Sequence, residues 1–214
     1  MAKKNIKNHR PEIPRKTVYR LSIYNRCLQR LAANGIKTVS SEALARAAGV
    51  KSPQLRKDLT YFGQFGTRGL GYDVEQLSQM IVDLLGTNSL QPVVLVGVGN
   101  LGRALLSYRG FLKEGFEVVA AFDIDAGRAA SKETSRDVLP MERLEPVVRE
   151  AGVRMAIICV PPEEAPEVAN DLVEAGVTGI MNFAPTVLQV PEEVMVNNVN
   201  LAIELENLSY FIQQ

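Results

Sequence analysis

The sequence predicts an α/β protein with a small helical domain at its N-terminus and a larger parallel-sheet domain after it. Residues 1–85 hold 15 Lys and Arg against 6 Asp and Glu, whereas residues 86–214 hold 9 against 18. Apolar residues recur at helical spacing in the first part, and patterns of buried strands alternate with helical ones in the second. The formal net charge of zero therefore joins a basic part to an acidic part. Such an asymmetry indicates that one part binds a polyanion.

Composition excludes several classes of protein. With 46% hydrophobic and 22% charged residues, the chain can bury real cores, which excludes wholesale disorder. No apolar run reaches the roughly 18 residues of a membrane span, and the basic N-terminus lacks the apolar stretch of a secretory signal. We therefore expect a cytoplasmic protein. Cys27 and Cys159 have no CxxC spacing or His partners, so we expect buried hydrophobic residues and no metal site.

The first helix is predicted between Pro14 and Gly35, because apolar residues recur at steps of three and four. These positions are Val18, Leu21, Tyr24, Leu28 and Leu31. The opposite face is cationic and includes Arg26. Gly35 is expected to end the helix in the left-handed conformation.

Two short helices follow around a tight turn. Ser40 is the expected N-cap of the first of them, with Glu42 in its first turn. After Gly49, Ser52 is the expected N-cap of the next helix, with Pro53 at its first position. The pair predicts a helix-turn-helix, whose second helix enters the major groove of DNA.

The exposed face of that second helix carries residue types that read and grip DNA. Gln and Arg can form bidentate hydrogen bonds to base edges, and Lys can neutralise phosphates. The glycines of GQFGTRGLGY predict a hairpin that approaches its ligand closely, as in the wing of a winged helix. The residues expected to contact DNA are Arg15, Ser40, Ser41, Lys51, Ser52, Gln54, Arg56, Lys57, Tyr61, Thr67 and Arg68. The alternative is a small helical bundle with a solvated basic surface and a flexible linker.

A further helix is expected from Asp73, its N-cap, to Gly86. The stretch GTNSLQ that follows is the expected domain boundary. The chain is thus predicted to consist of a winged-helix domain over 1–85, a parallel-sheet domain over 86–198 and a C-terminal helix over 199–214.

A strand leading into a glycine-rich loop and a helix predicts a dinucleotide site of the Rossmann type. The segment PVVLVGVGNLG contains G-x-G-x-x-G, a helix is expected over 101–111, and Asp123 ends the second strand 21 residues after the last glycine. This is the spacing at which an acidic group reaches the ribose hydroxyls. Asp123 favours NAD over NADP, although Arg128 leaves that preference open. The loop residues expected to hold the pyrophosphate are Gly97, Val98, Gly99, Asn100, Leu101 and Gly102. The alternative is a structural α/β domain that binds no phosphate.

The alternation continues to residue 184. A helix over 141–151, the strand RMAIICV, a helix closed by Gly176 and the strand VTGIMNF are expected in that order. Ligands of such sheets lie at the carboxyl ends of the strands. The expected pocket residues there are Val160, Pro161, Asn182, Phe183 and Pro185. Apolar residues at helical spacing from Leu201 to Ile212 predict a terminal helix that covers a surface of its own domain or of a partner chain.

The chain offers little for catalysis of hydride transfer, which needs a proton donor or acceptor beside the carbonyl. Its only histidine is His9, and only Lys113 and Lys132 occur after residue 85. The nucleotide is therefore predicted to be a signal and the protein not to be an enzyme.

Several segments together resemble the Rex family of redox-sensing transcriptional repressors. They are SSEALARAAGVKSPQLRKDLTYFGQFGTRGLGY, GVGNLGRALLSYRGF, AFDID, ICVPPEEA, NFAP and LAIELENLSYF. The resemblance implies a homodimer with C-terminal helices swapped between subunits. It also implies binding to palindromic double-stranded DNA operators that ends when NADH binds, so that NADH and NAD⁺ are sensed ligands and not redox cosubstrates.

The resemblance also implies a switch made of Arg26, Tyr108 and the residue before Leu201. The family carries an Asp there, which pairs with that Arg in one state and that Tyr in the other, whereas this chain has Asn200. An amide can hydrogen-bond to both groups but cannot form the ion pair. A dry pocket lined by Tyr108, Phe183, Pro185 and Leu201 would penalise the NAD⁺ cation, so we expect a strong preference for NADH. Two other functions stay open, a small NAD-dependent dehydrogenase and a CoA- or nucleotide-binding module without DNA binding.

Overall fold

A computed structural model describes residues 13–67, 69–129 and 137–213. The chain divides into two compact units, residues 1–88 and 89–214. The expected DNA contact Arg68 and the side chain of Arg128 lie outside the described residues, as does His9.

The N-terminal unit is a helix-turn-helix with a small antiparallel strand pair. Its elements are α1 (Arg15–Ala33), β1 (Thr38–Val39), α2 (Ser41–Ala47), α3 (Ser52–Thr60), β2 (Tyr72–Asp73) and α4 (Val74–Leu85). Strand β1 pairs with β2, and a bridge between Thr67 and Gly71 closes the loop before β2. The strand pair and the turn closed by the Thr67–Gly71 bridge together form a short wing.

Several predicted helix ends of this unit are confirmed. The Ser40 hydroxyl accepts a hydrogen bond from the Ala43 amide at 3.1 Å, and Asp73 accepts one from the Gln76 amide at 2.8 Å. Gly86 ends α4 in the left-handed conformation, and Gly35, just after α1, also has a positive φ. Local capping chemistry therefore sets the limits of these helices.

Two details of the prediction are wrong. Ser52 is the first residue of α3 and Lys51 is its N-cap, because the Ser52 hydroxyl bonds to the Arg56 guanidinium and not to an amide of the helix. Val18 is 40% exposed, while the neighbouring Thr17 is buried. Thr17 takes the inward position because its hydroxyl has a buried carboxylate as partner, namely that of Asp58.

The second unit is a six-stranded parallel sheet in the order β5-β4-β3-β6-β7-β8. This is the strand order of a Rossmann fold, in which the first strand lies at the centre and the order reverses beside it. Its strands are β3 (Gln91–Val96), β4 (Phe116–Phe122), β5 (Val138–Leu139), β6 (Met155–Ile158), β7 (Gly179–Asn182) and β8 (Met195–Asn198). Its helices are α5 (Asn100–Leu106), α6 (Gly110–Lys113), α7 (Ala126–Ala129), α8 (Leu144–Glu150), α9 (Ala165–Ala175) and α10 (Leu201–Ile212), with a 3₁₀ turn over Met141–Arg143.

The helix predicted over 101–111 is interrupted. Helix α5 ends at Leu106 and α6 begins at Gly110, so Tyr108 lies in the break between two short helices. Strands β5 and β8 have no counterpart in the prediction. Both are short edge strands of the sheet, and their burial patterns lack a run of buried residues.

Each unit has its own hydrophobic core. In the N-terminal unit, Leu21, Tyr24, Leu44, Leu55 and Ile81 are among its fully buried members. In the second unit one cluster packs on each face of the sheet. Cys27 and Cys159 are free thiols that pack against the cores of their units, and each is half-buried where the sequence predicted a buried residue. None of the described helices is both long and apolar enough to cross a membrane.

Candidate functional site

Helix α3 is tied to α1 by the buried carboxylate of Asp58. Arg20 donates from Nε to Oδ2 at 2.6 Å and from Nη2 to Oδ1 at 2.7 Å, and the Tyr24 hydroxyl donates to Oδ2 at 2.7 Å. Thr17 donates to Oδ1 at 3.2 Å. Burial alone would raise the pKa of Asp58, but the hydrogen bonds from Arg20, Tyr24 and Gln54 outweigh it and hold the pKa below its ordinary value. Asp58 is therefore a charged residue that holds α3 against α1.

Asp58 was not among the residues predicted from the sequence. A signal was present, because Asp58 lies between Leu55 and Leu59 on the stripe that packs against α1, where an unpartnered carboxylate would be costly. Its three partners on α1 share the inward face of that helix. Burial also raises the pKa of the Tyr24 phenol above its ordinary value, with the Asp58 hydrogen bond adding to the shift.

Gln54 was expected on the exposed face of α3, but its side chain turns inward. Its side chain is half-buried, and Nε2 donates to Asp58 Oδ1 at 2.9 Å. The amide is therefore held in one orientation at the start of α3, which limits how it can hydrogen-bond to a base.

Arg56 projects from α3 into a cluster of oxygens at the start of α2 and α3. Its Nη1 lies 2.6 Å from Ser52 Oγ, 3.1 Å from Ser41 Oγ and 3.4 Å from Glu42 Oε1. The Ser41 hydroxyl donates to the same Glu42 oxygen at 3.1 Å. This cluster remains open to solvent, with the Arg56 and Glu42 side chains 51% and 64% exposed.

The other expected DNA contacts among the described residues lie on several elements of the N-terminal unit. Lys51 and Lys57 are exposed on α3 and at its entry, and Arg15 is exposed at the start of α1. Tyr61 is half-buried, and its ring centroid lies 6.5 Å from that of Phe62. An open groove of about 490 Å³ is lined by residues of α2, Arg56 and the wing, including Ser40, Ser41 and Thr67. The N-terminal unit thus presents a cationic helix beside a glycine-rich wing.

The glycine-rich loop of the second unit is held by the acid predicted to bind ribose. Asp123 Oδ2 accepts a hydrogen bond from the Val98 amide at 2.7 Å, and Oδ1 accepts one from the Asp125 amide at 2.9 Å. The Gly97 amide donates to the Phe122 carbonyl at 2.8 Å. The loop therefore crosses the carboxyl ends of β3 and β4, where Asn100 and Leu101 open α5.

The glycines of this loop differ in their surroundings. A Cβ on Gly97 would lie 2.7 Å from the Cys159 carbonyl, and one on Gly102 would overlap the Gly97 carbonyl oxygen. A Cβ on Gly99 would meet nothing within 4 Å. Gly97 and Gly102 therefore serve close packing within the protein, whereas the space at Gly99 is open.

The residues expected at the strand ends have different roles. Val160 is half-buried, with its Cγ1 against Gly97, and Pro161, Phe183 and Pro185 follow the ends of β6 and β7 with at least part of their surface open. The Asn182 side chain is directed into the protein. It is completely buried, and its amide bonds to the Ala184 backbone, the Thr186 carbonyl and Asn198 Oδ1. Asn182 therefore shapes the loop that carries Phe183 and Pro185.

Tyr108 lies on an open cleft between α5 and α6. Its ring packs edge-on against Phe111 with centroids 5.1 Å apart, and it is 59% exposed. The cleft has a volume of about 490 Å³, with Phe116 and Leu112 in its lining. An aromatic ring exposed to this extent can change its packing at small cost.

Asn200 is the N-cap of α10. Its Oδ1 accepts hydrogen bonds from the Ala202 and Ile203 amides at 3.0 and 3.3 Å. Leu201 follows it and is 62% exposed. The third expected switch residue, Arg26, is an exposed residue of α1 in the other unit.

Comparisons with known proteins agree with both units. A family model described as "Putative DNA-binding protein N-terminus" matches residues 12–60, and one described as "CoA binding domain" matches residues 88–186. A redox-sensing transcriptional repressor Rex of Carboxydothermus hydrogenoformans is 50% identical over 203 residues, which cover 95% of this chain and 98% of that protein. The Rex of Streptomyces coelicolor is 48% identical over 211 residues, covering 96% and 82%.

Solved structures of a relative cover both units. A crystal structure of RSP with β-NAD⁺ and operator DNA matches with a TM-score of 0.87 and 35% identity, over 94% of this chain and 92% of that one. RSP with β-NADH matches with a TM-score of 0.82 and 33% identity, over 94% of each chain. RSP is described as a Rex-family repressor. The chain therefore belongs to the Rex family of redox-sensing transcriptional repressors.

Proposed function

We propose that this protein is a DNA-binding repressor that senses the ratio of NADH to NAD⁺. It binds palindromic operators while NADH is scarce and leaves them when NADH binds. The observation that carries this proposal is the similarity over 94% of the chain to RSP, a protein solved with β-NAD⁺ and operator DNA and also with β-NADH. The cationic helix-turn-helix and the glycine-rich loop tied to Asp123 supply this chain's own means of binding both ligands.

The nucleotide acts in this proposal as a signal and is not consumed. Hydride transfer to a carbonyl needs a neighbouring proton donor. Beside the glycine loop the chain places Cys159, whose thiol has its pKa raised to about 12 by burial. A thiol with that pKa is a poor general acid at neutral pH, and the sequence provides no histidine after residue 9.

The working form is a homodimer in the cytoplasm. Within the single chain, α10 leaves Leu201, Leu205, Leu208 and Phe211 at least 62% exposed, which is unusual for an apolar helix face in water. A second copy of this chain is the partner that also matches a palindromic operator, since a two-fold site calls for a two-fold protein. We propose that α10 is exchanged between the subunits.

The dimer is tested by placing a charge on α10. Leu205→Glu should shift the protein from dimer to monomer in sedimentation experiments and abolish operator binding. Glu204→Gln on the same helix is the matched control, since it also changes one charge on an exposed residue. A Leu205→Glu variant that stays dimeric would contradict the assignment.

The function is tested by gel shift on a library of palindromic promoter fragments with NAD⁺, NADH, NADPH or CoA. Release by NADH alone supports the proposal. The match to a CoA-binding family model favours a CoA- or nucleotide-binding module as the second candidate, and this candidate predicts CoA binding without any operator shift. Oxidation of NADH with a carbonyl substrate would instead indicate a dehydrogenase.

A further inference from the structure

We propose that Glu42, together with Ser41 and Ser52, is a positioning group that sets the DNA specificity of Arg56. The three oxygens hold one end of the guanidinium, so that its other edge reads a guanine and does not swing to the phosphates. This inference rests on the proposed function, since it concerns how the operator is recognised.

The geometry of the cluster carries the inference. A single nitrogen of Arg56, Nη1, has all three oxygen partners, at 2.6, 3.1 and 3.4 Å. Ser41 and Ser52 also donate to the Glu42 carboxylate, at 3.1 and 3.3 Å. The oxygens come from the first turns of two helices, so two backbone elements fix their positions. Within the part of the chain that is described, Nε and Nη2 of Arg56 have no hydrogen-bond partner.

The free edge has the chemistry that guanine requires. Nε and Nη2 present two parallel N–H groups, which match the O6 and N7 acceptors of guanine in the major groove. Another arginine of this domain uses the same two groups, since Nε and Nη2 of Arg20 donate hydrogen bonds to the two oxygens of Asp58. Arg56, held at Nη1, keeps that edge available to DNA.

The charge of Glu42 adds discrimination against phosphate. Both a guanine and a phosphate accept a bidentate arginine, so hydrogen bonding alone does not separate them. A carboxylate beside Nη1 repels phosphate oxygens that approach Arg56, whereas the neutral guanine edge is not repelled by a net charge. A built-in unfavourable term for the wrong partner is a common source of specificity.

The position of Glu42 makes this role separable from stability. Glu42 and Arg56 are both mostly exposed, and exposed ion pairs contribute little to folding. Replacement of Glu42 is therefore expected to leave a folded domain. If Glu42 acted only as an acid that stabilises the first turn of α2, its replacement would change the stability of the domain and leave its base preference unchanged.

The test compares Glu42→Gln with Glu75→Gln. Glu75 is an exposed acid in the first turn of α4 and takes no part in the cluster, so both variants remove one negative charge from the same domain. Binding to a fluorescent operator duplex, to the duplex with each guanine replaced in turn and to a scrambled duplex is followed by anisotropy across a salt series.

Glu42→Gln should bind the scrambled duplex roughly tenfold more tightly and lose a similar factor in the ratio of operator to scrambled affinity. Its salt slope on scrambled DNA should steepen by about one phosphate contact. Glu75→Gln should strengthen both duplexes equally. Ser52→Ala, which removes the shortest tether, should lower the ratio in the same direction and provides a second variant should Glu42→Gln be unstable.

A double-mutant cycle assigns the effect to Arg56. In the Arg56→Ala background, Glu42→Gln should no longer change the affinity ratio. An unchanged ratio in both Glu42→Gln and Ser52→Ala, in a protein that binds its operator and releases it with NADH, overturns the positioning role alone. A wild-type chain that binds no palindromic duplex overturns the proposed function and this inference together.

Discussion

At the scale of single residues, two glycines of the nucleotide loop serve different purposes, one in folding and one in ligand binding. Gly102 has no room for a side chain, because a Cβ there would overlap the Gly97 carbonyl oxygen. Gly99 has an ordinary φ of −73° and open space around it. An alanine at Gly99 should therefore change the stability of the nucleotide-free protein little. Its methyl group should interfere only when a pyrophosphate approaches the loop.

We expect Gly99→Ala to keep the stability of the wild type and to weaken NADH binding about tenfold or more, a change of about 1.4 kcal/mol. Gly102→Ala should instead destabilise the second unit by about 2 kcal/mol, in the range of overpacked sites. Thermal unfolding and titration of NADH fluorescence measure the two effects. Equal losses of stability in the two variants would show that Gly99 also serves packing.

The buried carboxylate of Asp58 makes the stability of the N-terminal unit depend on pH. Its pKa is lower in the folded state than the value near 3.9 of an unfolded chain. A lowered pKa stabilises the fold above that unfolded value, and the contribution is lost as the pH falls through the folded pKa. Acid should therefore loosen the link between α1 and α3.

Asp58→Asn should lower the free energy of unfolding at pH 7 by about 3 kcal/mol, since it leaves the largely buried Arg20 without its counter-charge. The variant should also lose stability less steeply than the wild type below pH 4. Urea unfolding of the full chain between pH 3 and 7 measures both, with the exposed Asp83→Asn as control. A variant as stable as the wild type would remove Asp58 from its positioning role.

At the scale of elements, the start of α10 combines a capping function with a proposed switch. Asn200 caps two amides of the helix, and Asp caps as well as Asn whereas Ala does not. Substitution by Asp therefore adds a charge without removing the cap, and substitution by Ala removes the cap without adding a charge. The two variants separate effects that a single substitution would mix.

We predict that Asn200→Asp gains affinity for NAD⁺ relative to NADH, because a carboxylate near the nicotinamide ring offsets the desolvation of its positive charge. Asn200→Ala should lose about 1 kcal/mol of helix stability and leave the ratio of affinities unchanged. Fluorescence titration with NADH, followed by competition with NAD⁺, gives that ratio. An Asp variant with the wild-type ratio would place Asn200 outside the nicotinamide environment.

Elements whose signals are local were predictable, and those that depend on tertiary contacts were not. Ser40 and Asp73 lie within three residues of the amides that they cap, so the sequence contains the whole motif. Strand β8 exists because it pairs with β7, and its own residues lack a buried-strand pattern. The site divides in the same way. The glycine loop was predicted from its spacing, whereas the bond from Asn182 to Asn198 spans two strands and could not be foreseen.

At the scale of the whole molecule, the net charge of zero conceals a division of labour. Residues 1–85 carry a net charge of +9 and residues 86–214 a net charge of −9. The net negative charge of residues 86–214 repels DNA, while backbone amides of the glycine loop still attract the phosphates of a dinucleotide. The two ligands are thus directed to different parts of one chain, and regulation requires a free-energy coupling between them.

That coupling is measurable from the nucleotide side. If the protein is the proposed dimer, shifting it from 99:1 to 1:99 between its DNA-binding form and its released form takes about 5.5 kcal/mol. That is roughly 2.7 kcal/mol for each of two NADH molecules. This corresponds to roughly a hundredfold in affinity per site.

Coupling between ligands is reciprocal, so operator DNA must weaken NADH binding by the same factor. Calorimetric titration of NADH into the free protein and into the protein saturated with operator should show this difference. Scrambled duplex at the same salt concentration is the control for nonspecific DNA. Equal NADH affinities with and without operator would mean that NADH does not act by shifting this equilibrium.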